Sequence, residues 1–317
     1  MSSTSPRHDD DAALLSLGQA LREAGYHFTT ITPATHARVN ARPENAQARS
    51  LADVFGWSRP FQPELLPSSL LQLMERSGVL IRGDQFCRCA VRASTLDGEL
   101  FFHSAFPTTA LDSVFFGPDT YRFAAAIAHA LRGRDRLVQR AVDIGCGAGP
   151  GGIVAAKILP QAEVFMVDIN EAALRLARIN ARLAGLAGVT ARHSNLLTSL
   201  EGEFDLVMAN PPYLVDPSER AYRHGGGPLG AGLSLAILDT ALERLSPGGT
   251  LVLYTGAAVV NGDDPFRAAA AARLARGRVR WTYREVDPDV FGEELEAEAY
   301  RHADRIAAVV LTVEQDG

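Results

Sequence analysis

The sequence is poor in lysine, cysteine and long apolar runs. Of its 31 basic residues only Lys157 is a lysine, and the formal net charge is −6. An acidic balance lacks the basic face that is typical of nucleic-acid-binding domains, so no nucleic-acid partner is expected. Three cysteines are too few for a disulfide framework and suit a reducing compartment. No run approaches the roughly 18 apolar residues of a membrane span, and the first residues lack the apolar core of a signal peptide, so we expect a cytoplasmic protein.

The chain is long enough for a doubly wound domain and a second, smaller one. Apolar residues recur at helical spacing over residues 12–24 and 67–77, and the period changes to two over residues 79–104, around a hairpin turn at Asp97-Gly98. We therefore predict a helical and β-hairpin, winged-helix-like domain over residues 1–110, followed by a second domain over residues 111–317. The first domain could read nucleic acid, cover a substrate or form a dimer surface, and its balanced charge favours the last two.

Cys87 and Cys89 lie on one face of a predicted strand. A metal site would need further ligands at suitable spacing, and the sequence offers none nearby. We therefore expect both thiols to pack in the core, and we expect no metal site in this protein.

A glycine-rich turn follows the apolar segment at residues 140–144. Gly145, Gly147 and Gly149 come at a spacing of two, and a helix is expected to begin near residue 151. Glycine tolerates positive φ and lets a ligand approach the backbone, while a helix start offers free N–H groups. Asp168 ends the next apolar run, where a carboxylate can accept hydrogen bonds from both hydroxyls of a ribose. The pattern predicts a site for a nucleotide-like ligand.

A second motif, Asn210-Pro-Pro-Tyr213, follows the apolar segment at residues 204–209. Together with Asp143-x-Gly145-x-Gly147-x-Gly149 and Asp168, it resembles the class I S-adenosylmethionine-dependent methyltransferases, in the branch that modifies amine or amide nitrogens. The resemblance covers roughly residues 113–315. It implies a Rossmann-like α/β fold with a seven-stranded sheet, S-adenosylmethionine as cofactor, and an amine or amide acceptor on a small molecule or a protein.

The resemblance also implies roles for individual residues. The glycine turn is expected to receive the methionine end of the cofactor, Asp168 the ribose and Asn195 the adenine. The expected cofactor contacts are Asp143, Gly145, Cys146, Gly147, Gly149, Asp168, Ile169, Asn195, Leu196 and Asn210.

Catalysis is assigned to the second motif, Asn210, Pro211, Pro212 and Tyr213. Methyl transfer from a sulfonium is an in-line displacement that depends on alignment of the acceptor. The Asn210 side-chain oxygen and the Pro211 carbonyl resemble the pair that holds the acceptor N–H groups in the family. The two prolines stiffen the loop, and Tyr213 can stack on a flat acceptor or present its ring face to a cation.

Two further segments bear on the acceptor. Protein-glutamine methyltransferases carry a proline-arginine-proline-acid-threonine-acid stretch where this chain has Gly-Pro-Asp-Thr-Tyr at residues 117–121. That departure puts a protein-glutamine acceptor in question. Phe115 and Tyr121 could line the acceptor pocket or pack a domain junction. In the long loop at residues 215–230, Arg223 or His224 could contact an acceptor carboxylate or act as a base.

Three functions remain open from the sequence. The first is a protein or nucleic-acid N-methyltransferase. The second is a small-molecule enzyme of secondary metabolism, including one that cyclises S-adenosylmethionine to azetidine-2-carboxylate and methylthioadenosine. The third is a binding-only protein, against which the intact Asn210-Pro-Pro-Tyr213 motif argues. The sequence does not indicate an oligomeric state.

Overall fold

The computed structural model describes residues 8–132, 136–220 and 222–317. Within them the N-terminal part combines short helices with two small antiparallel sheets, β1–β2 and β3–β4. Thr32 caps α2, since its hydroxyl accepts a hydrogen bond from the Thr35 amide at 3.2 Å. The elements are α1 (His8–Glu23), α2 (Pro33–Asn40), α3 (Leu51–Phe55), α4 (Ser68–Arg76), β1 (Leu80–Arg82), β2 (Cys87–Cys89), β3 (Val91–Leu96) and β4 (Glu99–Ser104).

The predicted hairpin turn is confirmed, because Asp97 and Gly98 both have positive φ between β3 and β4. Cys87 and Cys89 are buried, as expected for core thiols. A 3-10 turn, Pro43–Asn45, precedes α3, and an irregular segment separates the two so that they do not form one helix. Ser50 explains the break, because its hydroxyl accepts from the Asp53 amide and starts α3 there.

A seven-stranded sheet forms the centre of the C-terminal part, in the order β10-β11-β9-β8-β5-β6-β7. Strand β11 is antiparallel to β9 and β10, and the other neighbours are parallel. This is the Rossmann-like arrangement that the sequence predicts. The strands are β5 (Arg140–Ile144), β6 (Glu163–Asp168), β7 (Val189–His193), β8 (Phe204–Ala209), β9 (Leu245–Val259), β10 (Val279–Asp287) and β11 (Arg305–Gln315).

Helices cover both faces of this sheet. Phe123, Ile153 and Leu174 belong to the core on one face, and Leu238 and Phe266 to the core on the other. No helix in the described residues is both long and apolar enough to cross a membrane. The helices are α5 (Pro118–Leu131), α6 (Pro150–Ile158), α7 (Glu171–Leu183), α8 (Gly232–Arg244) and α9 (Pro265–Leu274).

Helix α7 joins the N-terminal part to the sheet. Leu174 packs toward the sheet, while Leu176 and Leu183 share a core with α1 and β4. The fully buried Asn180 side chain accepts a hydrogen bond from the Phe102 amide at 2.8 Å and donates to the Ala148 carbonyl at 2.9 Å. The core therefore continues from the N-terminal part to the glycine turn, and the domain boundary near residue 110 stays a prediction.

Candidate functional site

A cavity of about 220 Å³ lies at the carboxyl ends of β5, β6 and β8. In an open parallel sheet this edge is where ligands bind, because the loops after neighbouring strands diverge there. The segments containing both sequence motifs line this cavity, together with Pro33 from the N-terminal part and Phe291 from the segment after β10. Neither Pro33 nor Phe291 was predicted to do so, since no sequence signal shows that these distant segments meet the sheet edge.

The glycine turn lies against the cavity through its first two glycines. Gly145 and Gly147 have φ of 67° and 54°, a conformation that side chains disfavour. The space beside the Gly145 α-carbon is open, since a Cβ at this residue would meet no atom within 4 Å. The prediction for Gly149 needs correction: this residue starts α6 and faces the Met166 sulfur and Ala177, so it packs against the interior and does not line the cavity.

Two carboxylates stand beside the turn. Asp143 is 1% exposed, and its Oδ2 accepts from the Gly152 amide at 2.8 Å, while its Oδ1 has no hydrogen-bond partner among the described residues. Burial, aided by the nearby Asp168, raises the pKa of Asp143 to about 7. A buried acceptor without a partner, next to a cavity, fits a ligand ammonium group.

Asp168 ends β6 on the same side. Its two oxygens accept from the amides of Gly147 and Asn170, both at 2.9 Å. Burial raises the pKa of this carboxyl, and the two amide hydrogen bonds act in the opposite direction. Each carboxylate oxygen keeps a second lone pair, so Asp168 can still accept hydrogen bonds from two ligand hydroxyls.

The remaining predicted cofactor contacts also line the cavity. Cys146 is buried in the turn, and Ile169, Asn195 and Leu196 lie at the ends of β6 and β7. Ile169 is a large apolar side chain that is 55% exposed. An exposed apolar side chain beside a cavity is suited to pack against the face of a flat ring such as adenine.

The Asn210-Pro-Pro-Tyr213 segment lines the cavity at the end of β8, the strand that pairs with β5. Within the described part of the chain, the Asn210 side chain and the Pro211 carbonyl make no hydrogen bond, so both oxygens are available to a ligand. Pro212 also lines the cavity. Tyr213 is 6% exposed and packs its ring on Gly256.

Asp119, in the first turn of α5, holds this wall in place, and sequence reasoning missed it. Its Oδ2 accepts from the Tyr213 hydroxyl and its Oδ1 from the Tyr254 hydroxyl, each at 2.6 Å. Arg122 also donates to Asp119, at 3.2 Å, and it donates to Asp287 at 2.5 Å. The only sequence signal was an acid near the start of a predicted helix.

Of the four residues proposed for the acceptor pocket, two line the cavity and two do not. Phe115 and Arg223 line the cavity, and the Arg223 guanidinium is bonded to Glu294. Tyr121 does not line it: its hydroxyl accepts from the Thr30 amide at 3.0 Å, at the junction with the N-terminal part. His224 does not line it either, because its Nδ1 accepts from the Asp216 amide at 3.2 Å within the loop.

Comparison with known proteins gives one family match. The model of the methyltransferase small domain matches residues 123–259. The release factor glutamine methyltransferase of Deinococcus radiodurans is 35% identical over 166 residues, which are 49% of this chain and 55% of that protein. The 4-amino-L-phenylalanine/4-methylamino-L-phenylalanine methyltransferase of Streptomyces pristinaespiralis is 30% identical over 177 residues, 53% of this chain and 58% of that protein.

The chain thus spans little more than half the length of these curated relatives. Among solved structures, Trm5 of Methanocaldococcus jannaschii in complex with adenosine matches with a TM-score of 0.50 and 17% identity, over 72% of this chain and 57% of that chain. At this level of identity the likeness supports the fold alone.

Proposed function

We propose that this chain, whose residues 123–259 match the methyltransferase small domain, is a class I S-adenosylmethionine-dependent methyltransferase that transfers a methyl group to an amine or amide nitrogen. The family resemblance drawn from the two motifs is confirmed for these residues. The observation that carries the proposed activity is that one cavity is lined both by the carboxylates of Asp143 and Asp168 and by the free oxygens of Asn210 and Pro211.

The carboxylates beside the glycine turn match the polar groups of S-adenosylmethionine. The unpartnered Oδ1 of Asp143 suits the ammonium of a methionine tail, and Asp168 suits the two ribose hydroxyls. Ile169, Asn195 and Leu196 would then hold the adenine. S-adenosylmethionine supplies a methyl group on a sulfonium sulfur, which is a good leaving group.

On the acceptor wall, Asn210 and Pro211 would accept the N–H groups of the incoming nitrogen and point its lone pair at the methyl carbon. Alignment of this kind accounts for much of the rate in a displacement that needs no strong base. Tyr213 is held in this wall by its hydrogen bond to Asp119, and its stacking on a flat acceptor stays a prediction. Its ring still lines the cavity beside Phe291.

The acceptor end of the cavity favours a planar group. Phe291 lies beside the Tyr213 ring, and Pro33, Phe115, Tyr222 and Arg223 also line the cavity. A carboxamide and an aromatic amine are both planar, and the two curated relatives named above act on one or the other. We propose that residues 1–110 serve as the lid on this side, through Pro33. The relatives are named as methyltransferases, and no contact in the cavity favours cyclisation of the cofactor.

The experiment combines binding with turnover. Purified protein is titrated with S-adenosylmethionine in a calorimeter and then incubated with methyl-labelled cofactor and a panel holding 4-amino-L-phenylalanine and glutamine-containing peptides. We expect binding, and transfer to at least one acceptor. Asn210→Ala should abolish the transfer and keep the binding, whereas Gln72→Ala, an exposed amide on α4, should change neither. Absent cofactor binding, or full transfer by Asn210→Ala, would contradict the proposal.

A further inference from the structure

A buried arginine in the N-terminal part lacks a counterion. Arg92, on β3, is 3% exposed. Its one hydrogen bond runs from Nη1 to Nδ1 of His36 at 3.2 Å, and its Nε has no partner. Within the described ranges no carboxylate reaches ion-pair distance of this guanidinium. Buried charges in proteins are almost always paired, because an isolated charge loses its hydration without compensation.

The same chain shows how it satisfies another buried arginine. Arg59 is 6% exposed, and its guanidinium is paired with Asp53. Its Nε donates to the Asn40 side-chain oxygen at 3.0 Å. The missing partner at Arg92 is therefore a local feature of that site, and Arg59 provides a matched control.

A second unpartnered polar atom lies on the neighbouring strand. His103 on β4 is the direct register partner of Arg92 and is fully buried. Its Nε2 is hydrogen-bonded to the Ser94 hydroxyl at 2.7 Å, and its Nδ1 has no partner. Side chains directly opposite one another on antiparallel strands share a face, with Cβ atoms about 5 Å apart. The two unsatisfied atoms thus belong to one buried group.

The net charge of Arg92, His36 and His103 at neutral pH follows from their pKa values. Burial lowers the pKa of His36 to about 4, and it lowers the pKa of His103 well below its usual value. Burial also lowers the pKa of Arg92, to about 10, so the guanidinium remains protonated at neutral pH. The group carries one positive charge between two neutral imidazoles, which suits one negative charge.

The group lies one layer of side chains from the cavity. Phe116 stacks on His103 with ring centroids 5.0 Å apart, and its neighbour Phe115 lines the cavity. On the other side, His36 stands one helical turn after Pro33, which also lines the cavity.

We propose that Arg92 and His103 form a binding site for a small monovalent anion, a halide or a carboxylate, which the guanidinium Nε and the imidazole Nδ1 hold by hydrogen bonds. His103 is then the Nδ1–H tautomer, and the Ser94 hydroxyl donates to its Nε2. The anion has two sources, the solvent or the carboxylate of an acceptor that enters from the cavity. The bound anion links α2 to the β3–β4 hairpin. This binding is a property separate from the proposed methyl transfer.

The direct test is a crystal structure of the full chain grown in sodium bromide, with data collected at the bromine absorption edge. We expect an anomalous peak within hydrogen-bond distance of the Arg92 Nε and the His103 Nδ1. An ordered water molecule at this position, or no density, would overturn the proposal.

A solution test uses thermal unfolding. The melting temperature of the wild type should rise with the logarithm of formate concentration, at ionic strength held constant with gluconate, because a ligand of the folded state stabilises it by mass action. Arg92→Met should lose this rise. Arg59→Met should melt at a lower temperature but keep the rise. If Arg92→Met fails to fold, His103→Phe, which removes the Nδ1 donor together with the Nε2 hydrogen bond to Ser94, should flatten the formate response. An undiminished response in the variants would overturn the site.

Benzoate distinguishes the two sources, since it carries a carboxylate on an apolar body. Loss of the bromide peak in crystals soaked in benzoate would assign the site to the carboxylate of a cavity-bound molecule. A retained peak would assign it to a free anion from the solvent. Both results presuppose that bromide binds at Arg92 and His103, and neither result depends on methyl transfer.

Discussion

The Tyr213 hydroxyl donates a 2.6 Å hydrogen bond to the Asp119 carboxylate, which joins the Asn-Pro-Pro-Tyr wall to the first turn of α5. The two residues are 94 positions apart in the chain. Asp119 is also held by Tyr254 and Arg122, so it is a fixed anchor for the loop. The wall that would orient the acceptor is thus positioned by a segment that precedes the glycine turn.

Tyr213→Phe should weaken this anchor and lower the transfer rate more than the affinity for S-adenosylmethionine. Loss of a hydrogen bond to a charged acceptor costs about 1.5–3 kcal/mol of stability, measurable by urea unfolding. Tyr283→Phe is the control, because its hydroxyl donates to Asp264 at 2.5 Å. We expect Tyr283→Phe to be less stable than the wild type but to transfer methyl groups at the wild-type rate. Equal rates in both variants would refute the positioning role.

Asp168→Ala should reduce cofactor affinity. The substitution removes two hydrogen bonds to the ribose, which corresponds to about 2–3 kcal/mol, or roughly 30- to 150-fold in Kd. Calorimetric titration measures the loss directly. Asp239→Ala, an exposed carboxylate paired with Arg273 on another surface, should bind like the wild type. Unchanged affinity in Asp168→Ala would remove this residue from the cofactor site.

Cofactor affinity should depend on pH through Asp143. Burial raises the pKa of this carboxyl from its usual value near 4 to about 7, so much of it is protonated at pH 6. The ammonium of the cofactor binds the ionised form, so affinity should rise as the pH increases through 7 and level off above it. Asp143→Asn should bind more weakly at pH 8 and lose this slope between pH 6 and 8. Calorimetry that finds the wild-type slope in the variant would contradict the assignment.

Gly256→Ala tests the packing behind the acceptor wall. A Cβ at this position would lie 2.1 Å from the Tyr213 Cδ2, so the ring must move. Overpacking of this kind costs about 1–3 kcal/mol, and we expect transfer to fall more than cofactor binding. At Gly188 a Cβ would meet no atom within 4 Å, so Gly188→Ala should be neutral in both assays. A Gly256→Ala enzyme with the wild-type rate would show that the ring position is not required.

Most secondary structure in the sheet follows from local sequence. Strands β5 and β8 begin and end where the apolar segments do, and helix α7 follows the period of 3.6. The apolar run at residues 250–255 predicts only the centre of β9, and the strand continues to Val259 because β11 pairs along it from Arg305 onward. Pairing between strands depends on tertiary contacts, which a local pattern does not contain.

The Rossmann-like fold and the two motifs that line the cavity could be predicted from the sequence, because glycines, prolines and strand-end acids are local signals of backbone geometry and ligand chemistry. The tertiary structure alone decided which side chains complete the site. It placed Asp119 under Tyr213, brought Pro33 and Phe291 to the cavity, and turned Gly149 inward. These contacts arise when distant segments pack together, and no spacing along the chain encodes them.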